Sequence, residues 1–599
     1  MCGVTGWVDW HRDLRDERPV LAAMTATLAC RGPDDEGIVL AGHAGIGHRR
    51  LAVIDVAGGR QPMCDRGIAL TYSGEVYNFG ELRRELAGYG WQFATRSDTE
   101  VVLRAYQQWG TDCVRRFNGM FAFAVWDGER RRLFLARDRL GVKPLYYHAY
   151  DGGLLFGSEP KALLANPLFE PVLDEEGLAE LFAMFGSHTP GHGVLRGLRE
   201  VRPGWTVVAD EAGVRTAPYW RLSPVPHVDD SATTVATVRE ILADTVRRQL
   251  VSDVPLCALV SGGIDSSAVA ALAVEGGPLT TFAVEFAGQD GDFVGDDNRP
   301  ELDAPYVRAL VEHLGTRHTD VRLDTPDLLA AQHHATRARD LPSLGDLDAS
   351  LLLLFQAIAD RSTVALSGES ADEVFGGYAW FHDPAALARP AFPWATGDGG
   401  LANLLAGDLR ARIRPEEDVG DRYAEALAEV PRLDGETGTA RRMREANHLA
   451  LTRFLPVLLD RKDRMSMAVG LEVRVPFCDH RLVEYVWNVP WELKCLGGEP
   501  KGLLRAALAD RLPPRLVRRP KSMFPVAVDP AYDDVLATRV RGLLGGGSAV
   551  GPLLDAERVA GFLAGAVPVP PWTRRLALAF LVQVDGWLRD YRVKVTATV

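Results

Sequence analysis

The stretch Pro255-Leu256-Cys257-Ala258-Leu259-Val260, followed by Ser261-Gly262-Gly263-Ile264-Asp265-Ser266-Ser267, constrains the fold more than any other. The first six residues are a short apolar run, the pattern of a buried strand. Residues 268–275 are alanine-rich and predict a helix. Strand, glycine turn and helix in that order aim free backbone N–H groups at an anion. Gly262 and Gly263 let a ligand approach the backbone, and the hydroxyls of Ser261, Ser266 and Ser267 add donors. Asp265 would repel a phosphate unless a divalent cation stood between them. The loop lacks the Gly-Lys-Ser/Thr ending of a Walker A motif and the spaced glycines of a dinucleotide fingerprint. Taken alone, it also fits an ordinary Gly-Ser turn. Residues 280–286 predict the next strand of the same sheet.

A chain of 599 residues is long enough for two to four domains. Its formal net charge of −13 argues against a protein that coats nucleic acid. Seven cysteines show neither a CxxC pair nor zinc spacing, which fits a reducing compartment. There is no apolar span of about 18 residues, so no membrane helix is expected. The first residues lack the basic start and apolar core of a signal peptide. These features together predict a cytoplasmic protein.

Cys2 follows the initiator Met. Removal of Met1 would place its thiol beside a free α-amine able to act as its general base. Position 2 alone also fits an incidental cysteine. Residues 48–54, 69–76, 121–127, 132–138 and 154–157 have strand-like apolar content, with a turn beginning at Asp127-Gly128. Residues 82–86 and 99–109 predict helices, the second capped at Ser97-Asp98. Many antiparallel strands with few helices predict a layered α/β domain.

This half resembles the N-terminal-nucleophile glutaminase domain of class II glutamine amidotransferases. The matching stretches, in family order, include Cys2-Gly3-Val4, Arg31-Gly32-Pro33-Asp34, Gly47-His48-Arg49-Arg50-Leu51, Ser73-Gly74-Glu75-Val76-Tyr77-Asn78, Ser97-Asp98-Thr99-Glu100 and Ala136-Arg137-Asp138-Arg139-Leu140-Gly141-Val142-Lys143-Pro144. The resemblance implies that Cys2 attacks the side-chain amide of glutamine, Arg50 clamps its α-carboxylate, and Glu75 and Asp98 hold its amide and amino ends. Gly74 would give a backbone N–H to the oxyanion. Where the family usually has Asn, this chain has Ser73. Either Ser73 or a water supplies the missing donor, or glutamine turnover is slow, or the donor is a modified glutamine. For Arg50 a surface ion pair, and for Asp98 a helix cap, are the plain alternatives.

The join falls between Pro203 and Asp230, where Ser223-Pro224-Val225-Pro226 is a polar, proline-containing connector. The expected domains are 2–215 and 231–599. Residues 231–249 predict a helix beside the phosphate-loop strand, 301–314 another helix, and 318–321 a further strand. Residues 288–299 predict an acidic surface loop over the nucleotide. A buried helix is expected over 351–359, a strand over 363–366, and helices over 556–564 and 572–587, the last docking the tail. After the strand at 363–366 comes Ser367-Gly368-Glu369-Ser370-Ala371-Asp372-Glu373, whose acidic groups would stand at the C-terminal edge of the sheet. Asp372 can face Asp265 across Mg²⁺. A helix-capping role is the alternative.

The loop at 261–266 looks like the pyrophosphate loop of ATP pyrophosphatases. Residues 356–377 and 455–480, with Pro500-Lys501-Gly502 and Arg518-Arg519-Pro520-Lys521, resemble the synthetase domain of asparagine synthetases. The resemblance implies ATP contacts from Leu259, Ser261, Gly262, Gly263, Asp265, Ser266, Ser267, Val284, Gly368 and Lys462, and a catalytic Lys501. It places the acceptor at Glu369 and Asp372, and Mg²⁺ at Asp265 and Asp372. The implied fold is an antiparallel glutaminase domain followed by a mostly parallel-sheet synthetase domain. The implied reaction uses glutamine, ATP and a carboxylic acid, with aspartate favoured. Ammonia would cross an internal passage to an acyl-adenylate. The resemblance admits a homodimer and gives no nucleic-acid or membrane partner. Two other readings stay open: amidation of a different carboxylic acid in secondary metabolism, and a glutaminase or scaffold without synthetase turnover. The β-lactam-forming relatives usually lack the nucleophile, so Cys2 speaks against that branch. A nucleic-acid thiolation enzyme would need a sulfur-carrying cysteine arrangement and a basic surface.

Overall fold

In the computed structural model, the described residues are 2–287, 293, 295, 299–342, 344–395, 400–525, 529–567 and 569–596. Strands of the first half are β1 (Gly3–Asp9), β2 (Asp35–Ala41), β3 (Ala44–Arg50), β4 (Met63–Asp65), β5 (Ile68–Val76), β6 (Gly119–Asp127) and β7 (Arg132–Arg137). They are followed by β8 (Tyr146–Tyr150), β9 (Gly153–Gly157), β10 (Val172–Leu173), β11 (Arg199–Glu200), β12 (Trp205–Asp210) and β13 (Gly213–Pro218). All but β10 form two six-stranded sheets, ordered β11-β8-β9-β1-β3-β2 and β13-β12-β7-β6-β5-β4. Every pairing within them is antiparallel.

The two sheets stack. Ala122, Ala124 and Trp126 of β6 pack against Val4, Ile46 and Phe156 of the other sheet. On the opposite face Phe121, Phe123 and Val125 meet Val102 and Tyr106 of the helix Asp98–Trp109. Both faces of β6 are covered, which is why it is apolar at nearly every position. The same period of two decides the polar positions of β5. Thr71, Ser73 and Glu75 share its inner face, and Tyr72, Gly74 and Val76 the outer one. The strand expected over 48–54 is corrected to Ala44–Arg50. Beyond Arg50 the chain leaves the sheet, and at Val53 its carbonyl accepts from the Asp253 N–H of the second half at 3.0 Å.

The second half is built on a parallel sheet of β14 (Leu256–Leu259), β15 (Thr280–Phe286), β16 (Arg317–Leu323), β17 (Val364–Leu366) and β18 (Glu472–Arg474). Its order is β16-β15-β14-β17-β18, and all four pairings are parallel. β14 continues to β15 on one side and has β17 on the other, so the crevice at the reversal opens between the C-terminal ends of β14 and β17. β18 is absent from the sequence expectation: it has three residues, two of them charged. The helix Ser231–Gln249, capped by Asp230 on the Thr233 N–H, buries Val238, Leu242 and Val246 against the phosphate-loop helix Ile264–Ala273. The expected buried helix begins earlier, as Asp346–Ala359. Most of the loop expected over 288–299 lies outside the described residues.

The tail crosses back to the first half. Phe580 of the helix Pro571–Asp590 packs edge-on against Phe182 at 5.4 Å between ring centroids. A last strand, β19 (Lys594–Val595), then pairs in parallel with β10. The halves also share a buried charged seam. Asp463, on the helix Leu455–Met467, accepts from Arg31 at 2.8 Å and from Lys143 at 3.0 Å. Glu159 pairs with Arg464 across the same seam at 3.2 Å.

Candidate active sites

Cys2 stands at the head of β1, buried. Its Sγ lies 3.9 Å from the Leu51 carbonyl, and burial raises its thiol pKa. Ser73, facing inward from β5, donates to the Cys2 carbonyl at 2.8 Å and accepts from the Cys2 nitrogen at 3.3 Å. Arg31 Nε donates to the same carbonyl at 3.1 Å. Ser73 therefore grips the main chain of the candidate nucleophile. Arg50 is anchored on a loop, with Nη1 on the Val56 carbonyl at 2.7 Å and Nη2 on the Asp55 carbonyl at 2.8 Å. Asp98 begins its helix and accepts from Tyr72 Oη at 2.7 Å and the Val76 N–H at 3.1 Å. Burial raises its carboxyl pKa against those bonds. Glu75 is raised further, by burial and then by the charges of Glu472 and Asp98. Arg474, which pairs with Glu472 at 2.7 Å, is 3.7 Å from Glu75. Cys2 and Ser73 thus meet directly, and Glu75, two residues further along β5, faces a charged wall from β18 of the other half.

The second site sits at the crevice between β14 and β17. Gly262 has φ +71°, and a Cβ there would stand 2.4 Å from Tyr306 Cβ, so the turn requires glycine. The loop closes on itself: the Ser261 N–H donates to Ser266 Oγ at 3.0 Å and the Ser267 N–H to the Gly263 carbonyl at 3.0 Å. Leu259 and Val284 are half-buried near the C-terminal ends of β14 and β15. Gly368 follows β17 and packs on the loop, where a Cβ would be 2.6 Å from the Ser266 nitrogen.

Four carboxylates surround this crevice. Lys501 Nζ is 2.5 Å from Asp265 Oδ2 and 2.5 Å from Asp372 Oδ1. Lys521 pairs with Asp372 Oδ2. Burial opposes ionisation of Asp372, yet the two ammoniums hold its pKa at about 2. Asp265, with one ammonium, is raised by burial. Glu369 pairs with Lys462 at 2.9 Å, which ties Lys462 to the loop that follows β17. Glu373 accepts from Tyr378 Oη at 2.6 Å, and burial together with Asp372 pushes its carboxyl up to about 8. Asp265 Oδ1 and Ser267 Oγ are buried without a hydrogen-bond partner among the described residues. An orphaned carboxylate oxygen on Asp265, with Asp372 bound to the same Lys501 ammonium, fits a Mg²⁺ ion whose other ligands are phosphate oxygens.

Sequence reasoning gave no role to Lys521, Arg519 or Tyr306. Arg519 donates to the Ser261 carbonyl at 2.5 Å, pairs with Asp303 and lies 4.3 Å from the Tyr306 ring. The basic run Arg518-Arg519-Pro520-Lys521, in a chain of net charge −13, was the available signal.

The structure is thus an α/β fold with two separate candidate centres. A family model of a glutamine amidotransferase domain matches residues 1–220, and one of asparagine synthase matches residues 237–589. Glutamine-hydrolyzing asparagine synthetase 3 of Bacillus subtilis (strain 168) is 42% identical to this chain, over 99% of it and 100% of the relative. Glutamine-hydrolyzing asparagine synthetase 1 of the same organism is 30% identical, over 88% of this chain and 87% of the relative. The chain belongs to the glutamine-hydrolysing asparagine synthetase family, and it is a glutamine-dependent amidotransferase of that type. No helix among the described residues is long and apolar enough to cross a membrane.

Proposed function

We propose that the chain converts aspartate to asparagine through an acyl-adenylate, using ammonia released from glutamine. Residues 2–215 act as the glutaminase and 231–599 as the synthetase. In the first site the Cys2 thiolate attacks the amide carbon of glutamine, ammonia leaves, and water hydrolyses the thioester to glutamate. Once Met1 is removed, the Cys2 amine takes the thiol proton. Ser73 holds that residue in place, Gly74 offers its N–H to the oxyanion, and Arg50, Glu75 and Asp98 bind the ends of glutamine.

In the second site the loop from Ser261 to Ser267 binds the triphosphate of ATP, with Leu259, Val284, Gly368 and Lys462 around the nucleotide. The acceptor carboxylate attacks the α-phosphorus and pyrophosphate leaves. Mg²⁺, held by Asp265 and Asp372, would offset charge on the departing pyrophosphate. Lys501 faces the same charge. Ammonia then attacks the acyl carbon and AMP departs. Glu369 and Asp372 hold the acceptor.

The observation that carries this reading is the meeting of Asp265 of the phosphate loop, Asp372 and Lys501 at the reversal of strand order. The two halves share one packed apolar cluster, which joins Leu51 and Val53 of the first half to Leu366 and Ala371 of the second; an ammonia route would have to open through it. An acceptor screen for pyrophosphate release in the presence of glutamine tests the reading: aspartate should give the largest stimulation. A different acid succeeding where aspartate fails would keep the chemistry and replace the acceptor. That second reading is favoured by the aromatic wall behind Glu373, where Tyr378 stacks on Trp380 at 4.2 Å and both adjoin Phe454.

A further inference from the structure

Lys501 and Lys521 occupy both oxygens of Asp372 and one of Asp265. These are the carboxylates a divalent cation would use. Lys501 is 3% exposed. Its main chain is held at φ +56°, in the left-handed region, at the start of the helix Gly502–Leu508. Gly377 backs the pair so closely that a Cβ there would stand 2.0 Å from both Asp372 Oδ1 and Lys501 Cε. Other nearby acids are engaged: Glu369 with Lys462 at 2.9 Å, and Glu373 with Tyr378 at 2.6 Å. A bare metal ion taking both Asp265 and Asp372 would compete with the buried Lys501 ammonium for both of its anions. Breaking a buried ion pair in that way is strongly unfavourable. A triphosphate removes the obstacle, because its oxygens give both ammoniums new partners and the metal additional ligands.

We propose that Lys501 and Lys521 act as resident counter-cations which surrender Asp265 and Asp372 to a divalent cation only when the nucleotide arrives. Metal and nucleotide then bind with positive coupling, and by linkage each strengthens the other by the same factor. Lys521 is assigned here as a positioning residue: it holds Asp372 before binding and turns to the phosphates afterwards. The inference rests on the ATP and Mg²⁺ reading above.

The test is Mn²⁺ binding to the full chain, followed by electron paramagnetic resonance, with and without a non-hydrolysable ATP analogue. The wild type should bind Mn²⁺ at least tenfold more tightly with the analogue than without it. Lys501→Met and Lys521→Met should each bind Mn²⁺ at least tenfold more tightly than the wild type when no nucleotide is present, because the carboxylates lose their competitor. Lys521, with a side chain 31% exposed, is the milder site, and a thermal midpoint close to that of the wild type reports that each variant is folded. Wild-type affinity that is equal with and without the analogue, or folded variants that bind Mn²⁺ no more tightly, would overturn the proposal. A wild type that takes no Mn²⁺ even with the analogue would remove the metal reading itself, and the proposal with it.

Discussion

Around Cys2, Ser73 and Arg31 hold the main chain of the nucleophile, while Asp98 rests on a tyrosine and a backbone N–H. Around Asp372 the contacts are ion pairs: Lys501 and Lys521 on Asp372, Lys501 on Asp265, Lys462 on Glu369. The contrast follows the ligands each centre is proposed to take. Glutamine brings a neutral amide and two opposite charges to a site of fixed donors. ATP brings several negative charges, which an array of ammoniums can exchange for the carboxylates it already holds. The first centre is held mostly by hydrogen bonds, with ion pairs only in the wall from β18, and the second by ion pairs that a nucleotide could exchange.

Separating the two centres chemically is the largest test. Cys2→Ala should lower glutamine-dependent amide formation on the order of 10³-fold or more, the scale of losing a nucleophile. Supplied ammonium should restore synthesis. If ammonium fails to do so in a folded variant, the two centres are not independent. The converse substitution, Asp372→Asn, should lower pyrophosphate release by about 10²–10³-fold, the scale of one preorganised electrostatic contact. Glutamate release by that variant should persist, and its loss would blur the contrast between the centres.

The seam between the halves comes next. Asp463 is buried and meets Arg31 and Lys143, and Arg31 reaches the Cys2 carbonyl. The residue before it, Lys462, pairs with Glu369 in the other centre. Asp463→Asn should destabilise the interface by about 3–5 kcal/mol, the scale of breaking a buried pair. A lower thermal midpoint with reduced coupling between glutamate and amide formation is the expected result. Unchanged coupling would mean that the helix Leu455–Met467 only packs the halves together.

What could be read in advance divides along the same line. The apolar run at 121–127, the apolar content of 69–76 and the glycine loop each carry a local pattern, and the structure puts the elements there. β18 carries no such pattern, because Glu472 and Arg474 are charged and become buried only when the halves meet. Lys521 is similar: its partner Asp372 is 149 positions away, and no spacing rule connects them. The tail helix was visible by its apolar content, but its docking on Phe182 depends on a surface assembled some 400 residues earlier. Local order was legible, whereas contacts between the halves required the folded chain.

The smallest expected effect concerns Ser73. Its hydroxyl donates a neutral hydrogen bond to the Cys2 carbonyl at 2.8 Å and accepts a longer one from the Cys2 nitrogen at 3.3 Å. Such a bond contributes about 0.5–1.5 kcal/mol. Ser73→Ala should therefore lower kcat/KM for glutamine hydrolysis about two- to twelvefold, the kinetic equivalent of that range. Ammonia-dependent synthesis should stay unchanged. Ser73→Asn then separates gripping from oxyanion binding. An amide long enough to reach past Cys2 should raise kcat without changing KM if the native site lacks a donor. If the native frame is already complete, the same substitution should lower kcat, because the hydroxyl that fixes the nucleophile is gone and nothing is gained at the oxyanion.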